Sequence, residues 1–255
     1  VTTVEPVDLH RMAMKDFIAD YYAPEPGHHT AEVGPNGCGK TTVGMQLLAA
    51  TTAQHPGTRG VAVVMKPHKG AKSDGRRATG DRTVAALTAQ HGGKIIRDWP
   101  PPIIPWRKEP PFWALWPPHE GEPDIDDANH YRIFRKCLID CYKKGDSVVF
   151  CDEAAGLSAD LDLKAEMRQT LQRGRSLKAS MILATQRPVD VPRSMFTEAK
   201  HFFLWRMNDA REYEVIRDIG GGRLSRADIT YHLKNLKQHE CLYLYPDKNV
   251  AVILV

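Results

Sequence analysis

Gly34-Pro35-Asn36-Gly37-Cys38-Gly39-Lys40-Thr41, with Thr42 behind it, fits G-x-x-x-x-G-K-[ST] at every position. Each residue type in that spacing answers a need of a nucleoside triphosphate. The glycines let consecutive backbone N–H groups turn toward phosphate oxygens, Lys40 supplies a point charge at the β/γ-phosphates, and the Thr41 hydroxyl suits Mg²⁺. The pattern therefore predicts a loop that wraps the phosphates of ATP or a related nucleotide together with Mg²⁺. Such a loop follows a strand and opens a helix. Lys40 to Thr52 carries Val43, Met45, Leu47 and Leu48 before His55-Pro56-Gly57 stops it, which predicts that helix. The preceding strand, Thr30 to Val33, is short and more polar than a buried parallel strand usually is.

Outward from this loop the chain alternates strands and helices. Gly60 to Met65 reads as a buried strand, Lys94 to Arg97 as the start of another, and Asp127 to Lys143 as an amphipathic helix ended by Lys144-Gly145. Ser147 to Cys151 is an apolar run that delivers Asp152-Glu153 at its C-terminal end, where open α/β sheets bind ligands. Paired with the phosphate loop, the two acids predict a hydrolase site. Asp152 suits a Mg²⁺ ligand through its water shell, and Glu153 a base for the attacking water. Asp162 to Lys178 reads as a helix, and Ser180 to Ala184 as a strand whose tip, Thr185-Gln186-Arg187-Pro188, places Gln186 to sense the γ-phosphate. Cys241 to Tyr245 and Val250 to Leu254 predict a closing hairpin. The expected architecture is α/β, with a mostly parallel sheet flanked by helices, in a single domain over residues 1–255.

Bulk properties agree with a globular chain of that kind. The 255 residues are 42% hydrophobic and 26% charged with a formal net charge of +4, which permits a polyanionic partner without demanding one. No apolar stretch is long enough to span a bilayer and Val1 to Met14 lacks a signal-peptide core, so a cytoplasmic protein is expected; the missing initial Met allows for a trimmed or incomplete N-terminus. Five cysteines, one of them inside the phosphate loop, suit reduced thiols, and Cys137 and Cys141 suit helix packing better than zinc. Two segments stand apart. Residues 66–82 hold Lys66, Lys69, Lys72, Arg76, Arg77 and Arg82 among glycines, either a solvated loop or a contact to nucleic-acid phosphates. Residues 99–118 interleave prolines with Trp99, Trp106, Trp113 and Trp116, and are expected to be an inserted surface segment without helix or central strand.

The stretch Gly174 to Pro188, Gly-Arg-Ser-Leu-Lys-Ala-Ser-Met-Ile-Leu-Ala-Thr-Gln-Arg-Pro, resembles the GR…ILATQRP segment of FtsK/HerA-type DNA-pumping ATPases. Phosphate loop, Asp-Glu strand, Gly-Arg element and Thr-Gln strand tip also come in that family's order. The likeness covers roughly 33–52 and 147–222 and is greatest to phage DNA-packaging motors; residues 66–118 match nothing in it. The resemblance implies a RecA-like P-loop NTPase fold and an ATPase that works as a homo-oligomeric ring, a pentamer or hexamer. It implies double-stranded DNA as cargo and a portal or other docking protein as a further partner, inside a host cell if viral. It also implies an arginine acting in trans on the neighbour's site, for which Arg175, then Arg173, and third Arg187 are the candidates. Two other classes use the same loop: a nucleotide kinase with residues 66–82 as its lid, and an ATPase that extrudes protein or virions. Glu153 beside Asp152 favours water over a kinase acceptor.

Overall fold

The backbone threads its strands through one sheet in an order far from that of the sequence. The computed structural model describes residues 7–66, 82–102, 108–207, 209–217, 219 and 224–255. Its strands are β1 (Arg11–Met12), β2 (His29–Val33), β3 (Arg59–Val63), β4 (Lys94–Ile96), β5 (Phe112–Leu115), β6 (Ser147–Cys151), β7 (Ala179–Thr185), β8 (Ala199–Trp205), β9 (Cys241–Tyr245) and β10 (Val250–Leu254). The helices are α1 (Met14–Asp20), α2 (Lys40–Gln54), α3 (Arg82–Gln90), α4 (Pro123–Lys144), α5 (Lys164–Arg173), α6 (Ser194–Thr197), α7 (Ala210–Arg217) and α8 (Arg226–Asn235). Strand order is β1-β10-β9-β8-β2-β7-β6-β3-β5-β4. Every pair from β8 to β4 is parallel, whereas β9 runs antiparallel to both β8 and β10. The expected mostly parallel sheet with a C-terminal hairpin is therefore present.

Side-chain alternation divides the core between the two faces of the sheet. Val149 and Cys151 of β6 and Met181 and Leu183 of β7 pack with Phe134 and Leu138 of α4 and Met167 and Leu171 of α5. Val148 and Phe150, with Ile182 and Ala184, turn to the opposite face, where Leu47 and Leu48 of α2 and Phe17 of α1 cover them. Helix α2 lies unusually close to the sheet because Gly44 faces Phe150, and a Cβ there would overlap the ring. Helix α4 begins with Pro123 at its first turn and ends at Gly145, whose φ of 66° closes it.

Three sequence expectations change. The polar strand β2 is buried along its whole length, with one of its polar side chains, His29, bonded to a neighbouring strand. His29 Nδ1 accepts the Met181 N–H at 3.0 Å, and burial lowers the His29 pKa to about 4, so the ring is a neutral acceptor. The proline-tryptophan segment was expected to exclude a central strand, yet β5 lies inside it, between β3 and β4. The reason is local: Pro110-Pro111 and Pro117-Pro118 bracket Phe112 to Trp116, leaving the residues that need ladder N–H groups free of proline. Trp99 and Trp116 are buried, Trp113 is half-buried, and Trp116 Nε1 donates to the Lys66 carbonyl at 2.8 Å. Trp106 lies outside the described residues. So do Lys69, Lys72, Arg76 and Arg77 of the basic segment. The helix expected over 162–178 is shorter: α5 stops at Arg173, and a single 3-10 turn, Arg175–Leu177, leads into β7.

Candidate active site

The site forms where the C-terminal ends of β2, β6, β3 and β7 meet the start of α2. Residues 34–39 leave β2, and Gly37 and Gly39 take φ of 75° and 112°, a left-handed backbone open to residues without a Cβ. Gly39 is the N-cap of α2, so the orphan N–H groups and the positive end of its dipole face the loop. Lys40 is buried, and its Nζ donates to the carbonyls of Gly34 and Pro35 at 2.6 and 2.7 Å. The lysine thus clasps the loop from inside.

Opposite the loop, β6 delivers the two acids as expected. The Thr41 hydroxyl donates to Asp152 Oδ1 at 2.6 Å. Lys66, just past the end of β3, places its Nζ 3.0 Å from Thr41 Oγ1 and 3.1 Å from Asp152 Oδ2. A cation therefore already sits against the two side chains expected to face Mg²⁺, so the residues present fit a metal at that point. Glu153 is half-buried, and its Oε1 has no hydrogen-bond partner among the described residues. Burial raises the Glu153 pKa, the Lys40 charge opposes the rise, and Asp152 adds to it. A carboxylate with one enclosed, uncommitted oxygen beside a phosphate loop has the character of a base that can hold a water.

Gln186 stands on the neighbouring strand tip. The Gly34 N–H donates to the Thr185 carbonyl at 3.2 Å, which ties β7 to the root of the phosphate loop. Thr185 Oγ1 accepts the Arg187 N–H at 3.1 Å, shaping the turn that carries half-buried Gln186. Lys40, Thr41, Lys66, Asp152 and Glu153 border a cleft of about 680 Å³, lined among others by Asn36, Thr42, Met65, Thr83, Asp160 and His239, whereas Gln186 is not among its lining residues.

Arg175 and Arg173 are not part of that cluster. They precede β7, whereas Gln186 follows it, so a seven-residue strand of about 20 Å separates them from the phosphate loop of their own chain. Both are exposed. Gly27 holds the Arg175 turn in place: its N–H donates to Ser180 Oγ at 2.9 Å, and a Cβ would come within 2.9 Å of the Arg175 backbone.

Sequence reasoning missed three features. Lys66 was read only as the first residue of the basic segment, although its position at the end of a strand beside β6 is the signal that would have placed it. The π-helical turn Gly156–Asp160, directly after the acids, has no sequence signature; such turns recur at functional sites. Glu32 of β2 is the third. It is fully buried and neither carboxylate oxygen has a hydrogen-bond partner among the described residues. Burial pushes its pKa well above the ordinary 4.5, with Lys40 pulling it back and Asp152 adding to the rise. An acid whose folded pKa is raised binds its proton more tightly folded than unfolded. It therefore costs nothing below the unfolded pKa and costs more as pH climbs above it. Glu32→Gln, which removes the ionisation, should raise the melting temperature by a few degrees at pH 8, as expected for about 1–3 kcal/mol, and leave it unchanged near pH 4. An offset equal at both pH values, measured by calorimetry, would contradict this.

No protein-family model matches the chain. The sequence is 30% identical over 135 residues to the DNA packaging ATPase P9 of Enterobacteria phage PRD1, which is 52% of this chain and 56% of P9. The chain thus spans little more than half the length of that curated relative. The fold is similar to the DNA-packaging ATPase B204 of Sulfolobus Turreted Icosahedral Virus, with a TM-score of 0.55, 14% identity and coverage of 90% of this chain and 98% of B204. It is also similar to VirB4 of Thermoanaerobacter pseudethanolicus, with a TM-score of 0.59, 14% identity and coverage of 88% of both chains. The chain is similar in part of its sequence to a phage DNA-packaging ATPase, and its fold is that of B204 and VirB4.

Proposed function

We propose that this chain is an ATP-hydrolysing motor that moves double-stranded DNA, of the kind that packages viral genomes, and that it works as a homo-oligomeric ring. The observation that carries the reading is the meeting of Lys40, Thr41, Asp152 and Glu153 at one cleft in a chain similar to a packaging ATPase. Lys40 and the N–H groups at the start of α2 bind the β/γ-phosphates. Thr41 and Asp152 hold Mg²⁺, which when bound withdraws charge from the phosphate oxygens. Glu153 accepts the proton of the water that attacks the γ-phosphate, and Gln186 aligns that water and reports its use to β7.

The position of the arginines supports the ring reading. Arg175 and Arg173 lie a full strand length from their own cleft and are exposed, so either one serves a phosphate group only in an adjacent subunit. A ring docked on a portal or similar protein inside an infected cell is the setting this implies. Among the described residues, no helix is long and apolar enough to cross a membrane.

The test is steady-state ATP hydrolysis with and without linear duplex DNA at low salt, together with the mass of the protein in solution. Stimulation by duplex in an assembled ring is the expected result. A working basal activity indifferent to DNA would transfer the reading to a protein cargo.

A further inference from the structure

Two ammonium groups of different origin reach the cleft. Among the described residues that line it, Lys40 and Lys66 are the lysines, and no arginine is present. Lys40 belongs to the phosphate loop, whose Gly34 and Pro35 carbonyls it holds. Lys66 comes from beyond the end of β3. Its Nζ lies 3.0 Å from Thr41 Oγ1 and 3.1 Å from Asp152 Oδ2, the end of the cleft that suits a terminal phosphate because Glu153 directly follows Asp152. The Lys66 side chain keeps 38% of its surface exposed, so the ammonium is open to a ligand.

A lysine is a point charge on a flexible four-carbon stem, so its place in a site is set by how firmly its backbone is held. Here the hold is built. Val63 pairs with Cys151 of β6 on one side and Leu115 of β5 on the other. Past the end of the strand, the Val64 N–H donates to the Leu115 carbonyl at 3.1 Å, and the Asp152 N–H to the Val63 carbonyl at 3.3 Å. The Trp116 indole N–H then fixes the Lys66 carbonyl at 2.8 Å. Trp116 is only 1% exposed and packs with Val64 and Val84. Its own carbonyl accepts from Arg97 Nη1 at 2.8 Å, and the Arg97 guanidinium carbon lies 5.8 Å from the centre of its ring. A brace thus runs from Arg97 through Trp116 to Lys66 and ends on Thr41 and Asp152. A counter-ion for Asp152 alone would need no such brace, since lysines on open surfaces pair with acids without one.

We infer that Lys66 is a catalytic residue of its own chain's cleft, hydrogen-bonding the γ-phosphoryl oxygens as they gain charge in the transition state, and that Trp116 is the positioning residue that aims it. This rests on the reading of the phosphate loop as a nucleotide site. The water oxygen bonds to the γ-phosphorus, the bond from phosphorus to the β,γ-bridging oxygen breaks, and ADP leaves with that electron pair. The proton of the water passes to Glu153, while Lys66 donates hydrogen bonds and keeps all its protons. The tryptophan at the end of β5 thereby takes a part in turnover, although the segment around it has none of the motifs of a nucleotide site.

The test separates ground-state binding from transition-state binding. Wild type, Lys66→Ala and Trp116→Phe are compared by kcat and KM for ATP, and by calorimetric affinity for ADP alone and for ADP with aluminium fluoride, which mimics the phosphoryl group in transfer. Lys66→Ala should lower kcat about 100-fold with KM and ADP affinity within about threefold of wild type, and should weaken the aluminium fluoride complex at least about tenfold. Trp116→Phe keeps the ring but not the N–H, and should lower kcat about three- to tenfold with ADP affinity unchanged. Retained ADP binding also shows that each variant is folded. A wild-type kcat in Lys66→Ala, or an equal loss of ADP and of its aluminium fluoride complex, would overturn the catalytic role. A wild-type kcat in Trp116→Phe would overturn the positioning role. A wild-type protein that binds neither ATP nor ADP would overturn the nucleotide reading itself.

Discussion

Lys40→Ala should lower ATP affinity by at least about 100-fold and bring hydrolysis to background. One preorganised donor to a phosphate in a partly enclosed site is worth about 3–4 kcal/mol. The lysine here has a second task. Its Nζ spans the carbonyls of Gly34 and Pro35 at 2.6 and 2.7 Å, so the same substitution frees two carbonyls that shape the loop before nucleotide arrives. Binding measured by calorimetry should vanish while the melting temperature of the nucleotide-free protein drops only slightly, because α2 keeps its packing through Leu47 and Leu48. Turnover near the wild-type rate would mean that the phosphates bind elsewhere.

Glu153→Gln should separate binding from chemistry. The amide keeps the size of the carboxylate but cannot take a proton, so hydrolysis should fall by about 10²–10⁴-fold with ATP affinity within about threefold of wild type. The same change should trap ATP-loaded protein, visible as unhydrolysed nucleotide after rapid filtration. Wild-type turnover would remove Glu153 as the base and leave its enclosed Oε1 without a task.

The chemistry of this molecule was more legible in its sequence than its architecture. Gly34 to Thr41 and the apolar strand ending in Asp152-Glu153 are contiguous, and the physical demands on them act over a few residues, so pattern alone places them. The strand tip that carries Gln186 is legible for the same reason, although Gln186 does not line the cleft. What failed to show was set by distant partners. β2 reads as a poor strand until His29 is seen to accept from Met181, and β5 is concealed by the prolines that bracket it. Lys66 and His239 reach the cleft from loops more than 170 residues apart in the chain, and no local pattern announces either. The arginines are an intermediate case. Gly174-Arg175 is visible as a motif, but only the length of β7 between it and Gln186 shows that it lies a strand length from its own cleft.

The ammonium of Lys66 against Thr41 and Asp152 bears on the order in which the site is loaded. Before nucleotide arrives, the charge of Asp152 is already balanced by a tethered cation. A bare divalent ion must evict that cation and leave it in a pocket with Lys40 nearby, which makes the exchange unrewarding. A metal arriving on a triphosphate brings the anionic oxygens to which the displaced ammonium can turn. If the cleft holds Mg²⁺ as proposed, a pocket of this kind would favour metal complexed to the triphosphate over free metal, and Lys66 would be the residue that enforces it. Loading the site would then also free the Lys66 side chain from Asp152.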